Sequence, residues 1–220
     1  MEAAEATVLV FAGGEPVPER VAVRLPADAL VIAADSGLGH ALALGRHVDL
    51  VVGDLDSVEP GVLDTAAHAG TQVERHPAEK EQTDLELALR AARARGATRV
   101  VVAGGYGGRL DHFLANALAL AGPAADGAAV EWVTGAALLT VVRSEAALRG
   151  APGDLCSLLA VGGPARGVRT EGLRYPLRGE ELLPGSTRGI SNELIQPVAR
   201  VSLETGTLLA VQPEPEPGPV

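Results

Sequence analysis

Short apolar runs that stop abruptly at glycine or aspartate constrain this chain more than any other feature. Thr7–Ala12 stops at Gly13-Gly14, Leu30–Ala34 at Asp35-Ser36-Gly37, and residues 99–103 at Gly104-Gly105. Leu50–Gly53 runs into Asp54-Leu55-Asp56-Ser57. β-branched residues favour strands, and Gly and Asp end them. Helical spacing follows three of these runs. It is carried by Leu38, Leu42 and Leu44, then by Leu85, Ala88, Leu89 and Ala92, then by Leu114, Leu118 and Ala121 within Leu110–Ala121. Thr83 with Glu86 forms a capping box, so the middle helix starts at Thr83 and stops near Gly96. Gln72-Val73-Glu74 is a further short strand, and residues 58–71 read as a spacer. Strands alternating with helices predict a parallel sheet with right-handed crossovers.

After Gly122-Pro123 the pattern changes. Helical spacing disappears, and short runs at 130–134, 138–142, 155–161, 167–170, 190–193, 198–203 and 207–211 are punctuated by Gly and Pro. That pattern predicts an antiparallel sandwich or barrel. The expected organisation is an α/β parallel-sheet domain over 1–127, an all-β sandwich domain over 128–212, and a disordered Pro/Glu tail over 213–220.

The strand ends are where chemistry is expected, because ligands of open α/β sheets bind beyond the carboxyl ends of the strands. Asp54 and Asp56 offer two hard oxygen donors there, a set that suits Mg²⁺. Taken alone, they also suit a turn. Asp35 reads either as a helix cap or as another strand-end carboxylate, and Asp84 falls in a first helical turn that favours a carboxylate anyway. Four glycines among Gly104, Gly105, Gly107 and Gly108 form a loop rich in backbone N–H groups, followed by Arg109, a bidentate phosphate ligand. On the parallel-sheet reading these carboxylates share one edge. They would repel one another unless metal ions neutralise them.

The formal net charge of −10 and the single lysine, Lys80, argue against nucleic-acid binding through the phosphate backbone. An acidic protein still binds an anionic nucleotide through divalent metal, and its field favours a cationic small molecule. Cys156 is the only cysteine, which excludes an intrachain disulfide and fits a reducing cytoplasm. No apolar run is long enough to span a bilayer, and Glu2 and Glu5 stand where a secretory signal would be basic.

Four blocks in order resemble the thiamine pyrophosphokinase (thiamine diphosphokinase) family. They are Gly53-Asp54-Leu55-Asp56-Ser57, Gln82-Thr83-Asp84, Gly107-Gly108-Arg109-Leu110-Asp111-His112 and Ser191-Asn192-Glu193. The resemblance implies an α/β nucleotide domain followed by a β-sandwich domain, in a homodimer with thiamine held near the subunit interface. It implies transfer of the ATP pyrophosphoryl group to the thiamine hydroxyl, releasing AMP. On that basis Asp54, Asp56 and Asp84 would hold Mg²⁺, and Arg109 would offset phosphate charge. Asp111 would orient Arg109 or accept the hydroxyl proton. Asp35, Gln82, Thr83, Gly107, Gly108 and His112 would line the nucleotide side, and Tyr175, Ser191 and Asn192 the thiamine side. Ser36 and Glu81 depart from the family pattern of Gly and Asp. Of the aromatic faces able to stack on a thiazolium, the sequence offers Trp132, Tyr106, Tyr175, Phe11 and Phe113.

Three rival readings use the same residues. A pterin pyrophosphokinase would share the phosphate motifs but need another acceptor pocket. A phosphatase of the haloacid dehalogenase type would use Asp54 as nucleophile, but that class carries Asp-x-Asp in its first strand. A nucleotide-sensing module would bind Mg-ATP without turnover.

Overall fold

The computed structural model describes residues 6–214. Residues 1–5, read above for a secretory signal, and 215–220 of the expected tail lie outside the described residues. Two compact units divide the chain, Met1–Gly135 and Ala136–Val220.

Among the described residues the first unit contains six strands, β1 Thr7–Ala12, β2 Leu30–Ala34, β3 Leu50–Gly53, β4 Gln72–Arg75, β5 Arg99–Gly104 and β6 Ala129–Val133. All pair in parallel, in the order β6-β5-β1-β2-β3-β4. The apolar runs are continuous rather than alternating because both faces of a parallel sheet are covered. Leu9, Val10 and Phe11 of β1 and Val51 and Val52 of β3 have no measurable exposure. β4 is the exposed edge strand. Five helices follow the strands: α1 Glu19–Ala22, α2 Gly37–Ala43, α3 Pro60–His68, α4 Asp84–Ala94 and α5 Leu110–Ala121. α4 packs on β1, β2 and β3 through Leu85, Ala88, Leu89 and Ala92, the face its spacing predicts. Thr83 caps it, its hydroxyl accepting the Glu86 N–H at 3.2 Å.

Strand order places the reversal of direction beside β1. From β1 the chain steps outward to β2, β3 and β4, then crosses to β5 on the other side of β1 and ends at β6. The crevice between the carboxyl ends of β1 and β5 is therefore the topological switch point, the place where such sheets bind ligands.

The second unit has eight strands among the described residues. They are β7 Ala137–Val142, β8 Glu145–Arg149, β9 Leu155–Ala160, β10 Ala165–Glu171, β11 Arg178–Leu182, β12 Asn192–Glu193, β13 Val198–Ser202 and β14 Leu208–Pro213. Antiparallel sheets β12-β9-β14-β7 and β11-β10-β13-β8 share one buried core, which includes Leu158 and Leu208 from the first and Leu148, Val168, Leu182 and Val201 from the second. This is the sandwich that the alternating second half predicts.

Four readings differ from the structure. The run at 130–134 is not antiparallel: as β6 it pairs in parallel with β5 in the first unit, so that unit extends beyond residue 127 to Gly135. The expected spacer contains α3, started by Pro60, with Leu63 and Ala66 buried. Its apolar positions are too few to show a period. Strands β8 and β11 form no apolar run in the sequence, because each buries a single fully covered side chain, Leu148 and Leu182, among small or polar ones. Pro213 belongs to β14, opposite Ala137, and Glu214 N–H donates to the Ala136 carbonyl, so the expected tail is in part structured.

Gly37 begins α2 hard against β1. A Cβ there would lie 2.1 Å from the Phe11 carbonyl oxygen, in backbone that cannot yield. Gly37→Ala is expected to destabilise the first unit by about 1–3 kcal/mol, the usual cost of overpacking. Urea unfolding followed by circular dichroism checks it.

Candidate active site

Two glycine loops meet at the switch point. Gly105 N–H donates to the Gly13 carbonyl at 2.7 Å, and Glu15 N–H to the Tyr106 carbonyl at 2.7 Å. Gly14 has φ +90°, and a Cβ on it would fall 2.4 Å from the Tyr106 oxygen, so only glycine lets the strands' exits close on each other. The loop rests on aromatics: buried Trp132 donates its indole N–H to the Gly104 carbonyl at 2.6 Å, and Phe113 lies between Trp132 and Tyr106 with centroids 5.3 and 5.6 Å away. Trp132 and Phe11 are therefore committed to the core and offer no stacking face. The Glu15 side chain lies over Gly107, while Gly108 faces open space.

The carboxylates gather at the neighbouring strand ends. Asp35, Asp54 and Asp56 each bring one oxygen within 4.8 Å of the others. The backbone is forced to present them. Asp35 at φ +46° and Leu55 at φ +63° both adopt the left-handed region, which non-glycine residues enter at an energetic cost. Leu55 is buried, which turns Asp54 and Asp56 away from the core on either side of it. Asp35 does not cap α2; Ser36 stands at that position, without a side-chain cap bond. Burial, and secondly the charge of Asp84, pushes the Asp35 carboxyl above its ordinary range, despite the Ser36 N–H that stabilises its anion. Asp35 Oδ1 is buried with no hydrogen-bond partner among the described residues.

Asp84, at the start of α4, reaches the same place. Its Oδ1 would be 2.9 Å from a Cβ on Gly53, whose φ of +149° already requires glycine, and that same Cβ would lie 3.3 Å from Asp35 Cβ. One cation sits among these acids, and the reading of the motifs gave it no role. Lys80 Nζ donates to Asp54 Oδ2 at 3.0 Å and forms an ion pair with Asp84 Oδ1 at 2.7 Å, with its side chain only 11% exposed. That hydrogen bond holds the Asp54 carboxyl below its usual range, and the two carboxylates raise the Lys80 ammonium against the opposing effect of its burial. Its only sequence signals are that it is the chain's one lysine and lies four residues before Asp84.

Arg109 and Asp111 are brought together, at the start of α5. Arg109 Nη2 and Nε donate to the two Asp111 oxygens at 2.6 and 3.2 Å, with both side chains well exposed. The guanidinium draws the Asp111 carboxyl down to about 2. His112 is exposed beside them, Gln82 is half-buried, and the Thr83 hydroxyl is engaged in capping.

In the second unit, Asn192 is buried and fully engaged. Its Oδ1 accepts from Tyr175 N–H and Glu193 N–H, each at 3.0 Å, and its Nδ2 donates to the Tyr175 carbonyl at 2.8 Å. This amide clamps the Tyr175 backbone and leaves the ring 59% exposed, with the Arg174 guanidinium 5.9 Å from its centroid. Ser191 is exposed at φ +56°, its N–H donating to Ser157 Oγ at 3.1 Å.

Two family models match the chain in succession, "Thiamin pyrophosphokinase, catalytic domain" over residues 24–131 and "Thiamin pyrophosphokinase, vitamin B1 binding domain" over 141–208. This chain belongs to the thiamin pyrophosphokinase family. The first match contains Asp35, Asp54, Asp56, Lys80, Asp84, Arg109 and Asp111; the second contains Tyr175, Ser191 and Asn192. A thiamine pyrophosphokinase of Bacillus subtilis (strain 168) is 27% identical over 193 residues, covering 83% of this chain and 86% of the relative. Crystal structures of thiamine pyrophosphokinases from Bacillus subtilis and Geobacillus thermodenitrificans superpose with TM-scores of 0.81 and 0.79 at 25% and 28% identity. They cover 94% and 96% of this chain and 98% and 99% of theirs.

The raised Asp35 carboxyl has a consequence for stability. A group whose folded pKa lies above its unfolded value penalises the folded state fully above the folded pKa, and the penalty fades as pH falls towards the unfolded value. In metal chelator, Asp35→Asn is therefore expected to melt above the parent protein at pH 7, with the gap closing as pH falls towards 4. Thermal melts across that range check it; a gap that stays constant or widens on acidification contradicts the assignment.

Proposed function

We propose that the chain is a thiamine diphosphokinase, an ATP-dependent enzyme that moves the terminal pyrophosphoryl group of ATP to the hydroxyl of thiamine. The observation that carries the proposal is the convergence of Asp35, Asp54 and Asp56 beside the switch point, within a chain whose two halves match the family's two domains. The vitamin B1 binding match disfavours a pterin acceptor. A strand-end aspartate on the third strand rather than the first disfavours the phosphatase.

The donor set fits Mg²⁺. All the groups are hard oxygens, and buried Asp35 Oδ1, which has no hydrogen-bond partner among the described residues, would gain one from a cation. Asp35, Asp54, Asp56 and Asp84 would hold the ion, and it would neutralise the charge that develops on the phosphates. The chain's own residues do the rest by positioning. Backbone N–H groups around Gly107 and Gly108 and the N-terminus of α5 favour phosphate oxygens. Arg109 offers a planar donor fork to them. Asp111, held near 2, is a weak proton acceptor at neutral pH, which supports its orienting Arg109 over its serving as general base. Gln82, Thr83 and His112 lie next to these groups in sequence and would line the nucleotide side.

On the second unit, the exposed ring of Tyr175 is a face for the thiazolium cation, and Ser191 contributes a hydroxyl. Asn192 acts through Tyr175, whose backbone it grips. In the reaction the thiamine oxygen bonds to the β-phosphorus, the bond between that phosphorus and the α–β bridging oxygen breaks, AMP leaves with that oxygen, and the hydroxyl proton passes to solvent.

We also propose that the enzyme is a cytoplasmic homodimer. Leu110, Leu114 and Leu118 form a stripe on α5 that is 71, 54 and 61% exposed, an apolar face suited to a second copy. ATP supply and a buried lone thiol suit the cytoplasm. No helix among the described residues is long and apolar enough to cross a membrane.

Incubation with Mg-ATP and thiamine is expected to yield AMP and thiamine diphosphate in equal amounts, dependent on both thiamine and the metal. Thiamine-independent phosphate release, or no AMP at all, overturns the proposal. Arg109→Ala is expected to lower kcat/KM for ATP about 100-fold, the scale of losing one strong oxyanion contact. Steady-state kinetics decide it, and unchanged constants remove Arg109 from the site.

A further inference from the structure

We infer that Lys80 is an exchangeable counter-cation: its ammonium occupies the space between Asp54 and Asp84 until a divalent ion takes their oxygens, and then passes to a phosphate oxygen of the nucleotide. The inference rests on the metal reading proposed above.

The geometry favours the exchange. Nζ lies 3.0 Å from Asp54 Oδ2 and 2.7 Å from Asp84 Oδ1, so it uses oxygens of two of the aspartates assigned to the metal. An ammonium and a divalent ion cannot share those oxygens at contact distance without strong mutual repulsion. The chemistry also permits the exchange. Lys80 belongs to the irregular segment between β4 and α4, and lysine carries a compact charge on a flexible four-carbon stem. Leaving Asp35, Asp54, Asp56 and Asp84 together without any cation would cost far more than keeping one in place. Lys80 forms ion pairs with two of these four.

The result is a coupling between metal and nucleotide. Metal arriving alone must evict the ammonium into water. Metal arriving with a triphosphate brings the anion that the evicted ammonium needs. Each ligand therefore strengthens the other, by the same factor in both directions. Lys80 is here a positioning residue, and its contribution shows in binding before any turnover.

Mn²⁺ titrations of the full chain, without nucleotide and with a non-hydrolysable ATP analogue, test this. Lys80→Met is expected to bind Mn²⁺ alone roughly tenfold more tightly than the parent and, with Mn²⁺ saturating, to bind the analogue roughly tenfold more weakly. Selective ¹³C-lysine labelling of the parent supplies a second readout that needs no variant, because the chain has one lysine. The Cε resonance is expected to shift on Mg²⁺ addition and to shift again on adding the analogue. Equal Mn²⁺ affinity in parent and Lys80→Met, or a lysine resonance unmoved by saturating Mg²⁺, overturns the role of Lys80 while leaving the metal site standing. Failure of both proteins to bind Mn²⁺ overturns the metal reading and the inference with it. If Lys80→Met does not fold, the lysine resonance alone decides.

Discussion

Parallel pairing on both sides of β1 is the constraint from which the rest of the first unit follows. Leu9, Val10 and Phe11 are wholly buried, so β1 must be covered on both faces and flanked on both edges. Crossovers between parallel strands carry the chain outward in one direction through β2, β3 and β4. Only the return across β1 to β5 opens a crevice. The glycine loops that leave β1 and β5 are hydrogen-bonded across that crevice, and Trp132 supports them from beneath. Sheet order thus selects where an anion can approach backbone N–H groups, before any catalytic side chain is considered.

The carboxylates beside the crevice set up the opposite electrostatic problem. Four acids converge where the backbone is already strained at Asp35 and Leu55. The strain and the repulsion are tolerated because the surrounding sheet holds the loops in place, and because one ammonium is included among the acids. Asp35 and Asp54 respond in opposite senses: burial disfavours the charge of the first, while Lys80 favours the charge of the second. A pocket poised in this way costs the fold stability, and on the proposed metal reading a divalent cation would offset the repulsion. That is the familiar trade between stability and function.

The second unit solves a different problem, presenting an aromatic ring without letting it collapse onto the core. The Asn192 amide grips the Tyr175 backbone from both sides, so the ring points outward while the adjoining Leu173, Leu177 and Leu194 are buried. A residue grouped by motif with substrate contacts is thus employed in holding a neighbouring stretch of backbone.

The amino-acid sequence by itself determined the alternating class of the first half, the sandwich of the second, the helix cap at Thr83 and the candidate carboxylates. These rest on local signals: runs of β-branched residues, helical spacing, and turn chemistry within a few positions. It did not reveal α3, β8 or β11, whose apolar positions are too sparse for a period, nor the parallel pairing of β6, since a buried run reads the same in either direction. The tertiary structure alone decided strand order, and with it the switch point. It alone decided that Asp35 joins the acids instead of capping α2, that Trp132 is a floor and not a stacking face, and that Lys80 lies between Asp54 and Asp84. Those facts depend on which distant segments meet. Proximity between residue 80 and residue 54 is set by β3 pairing with β4 and by α4 packing on the sheet, and no local pattern encodes it.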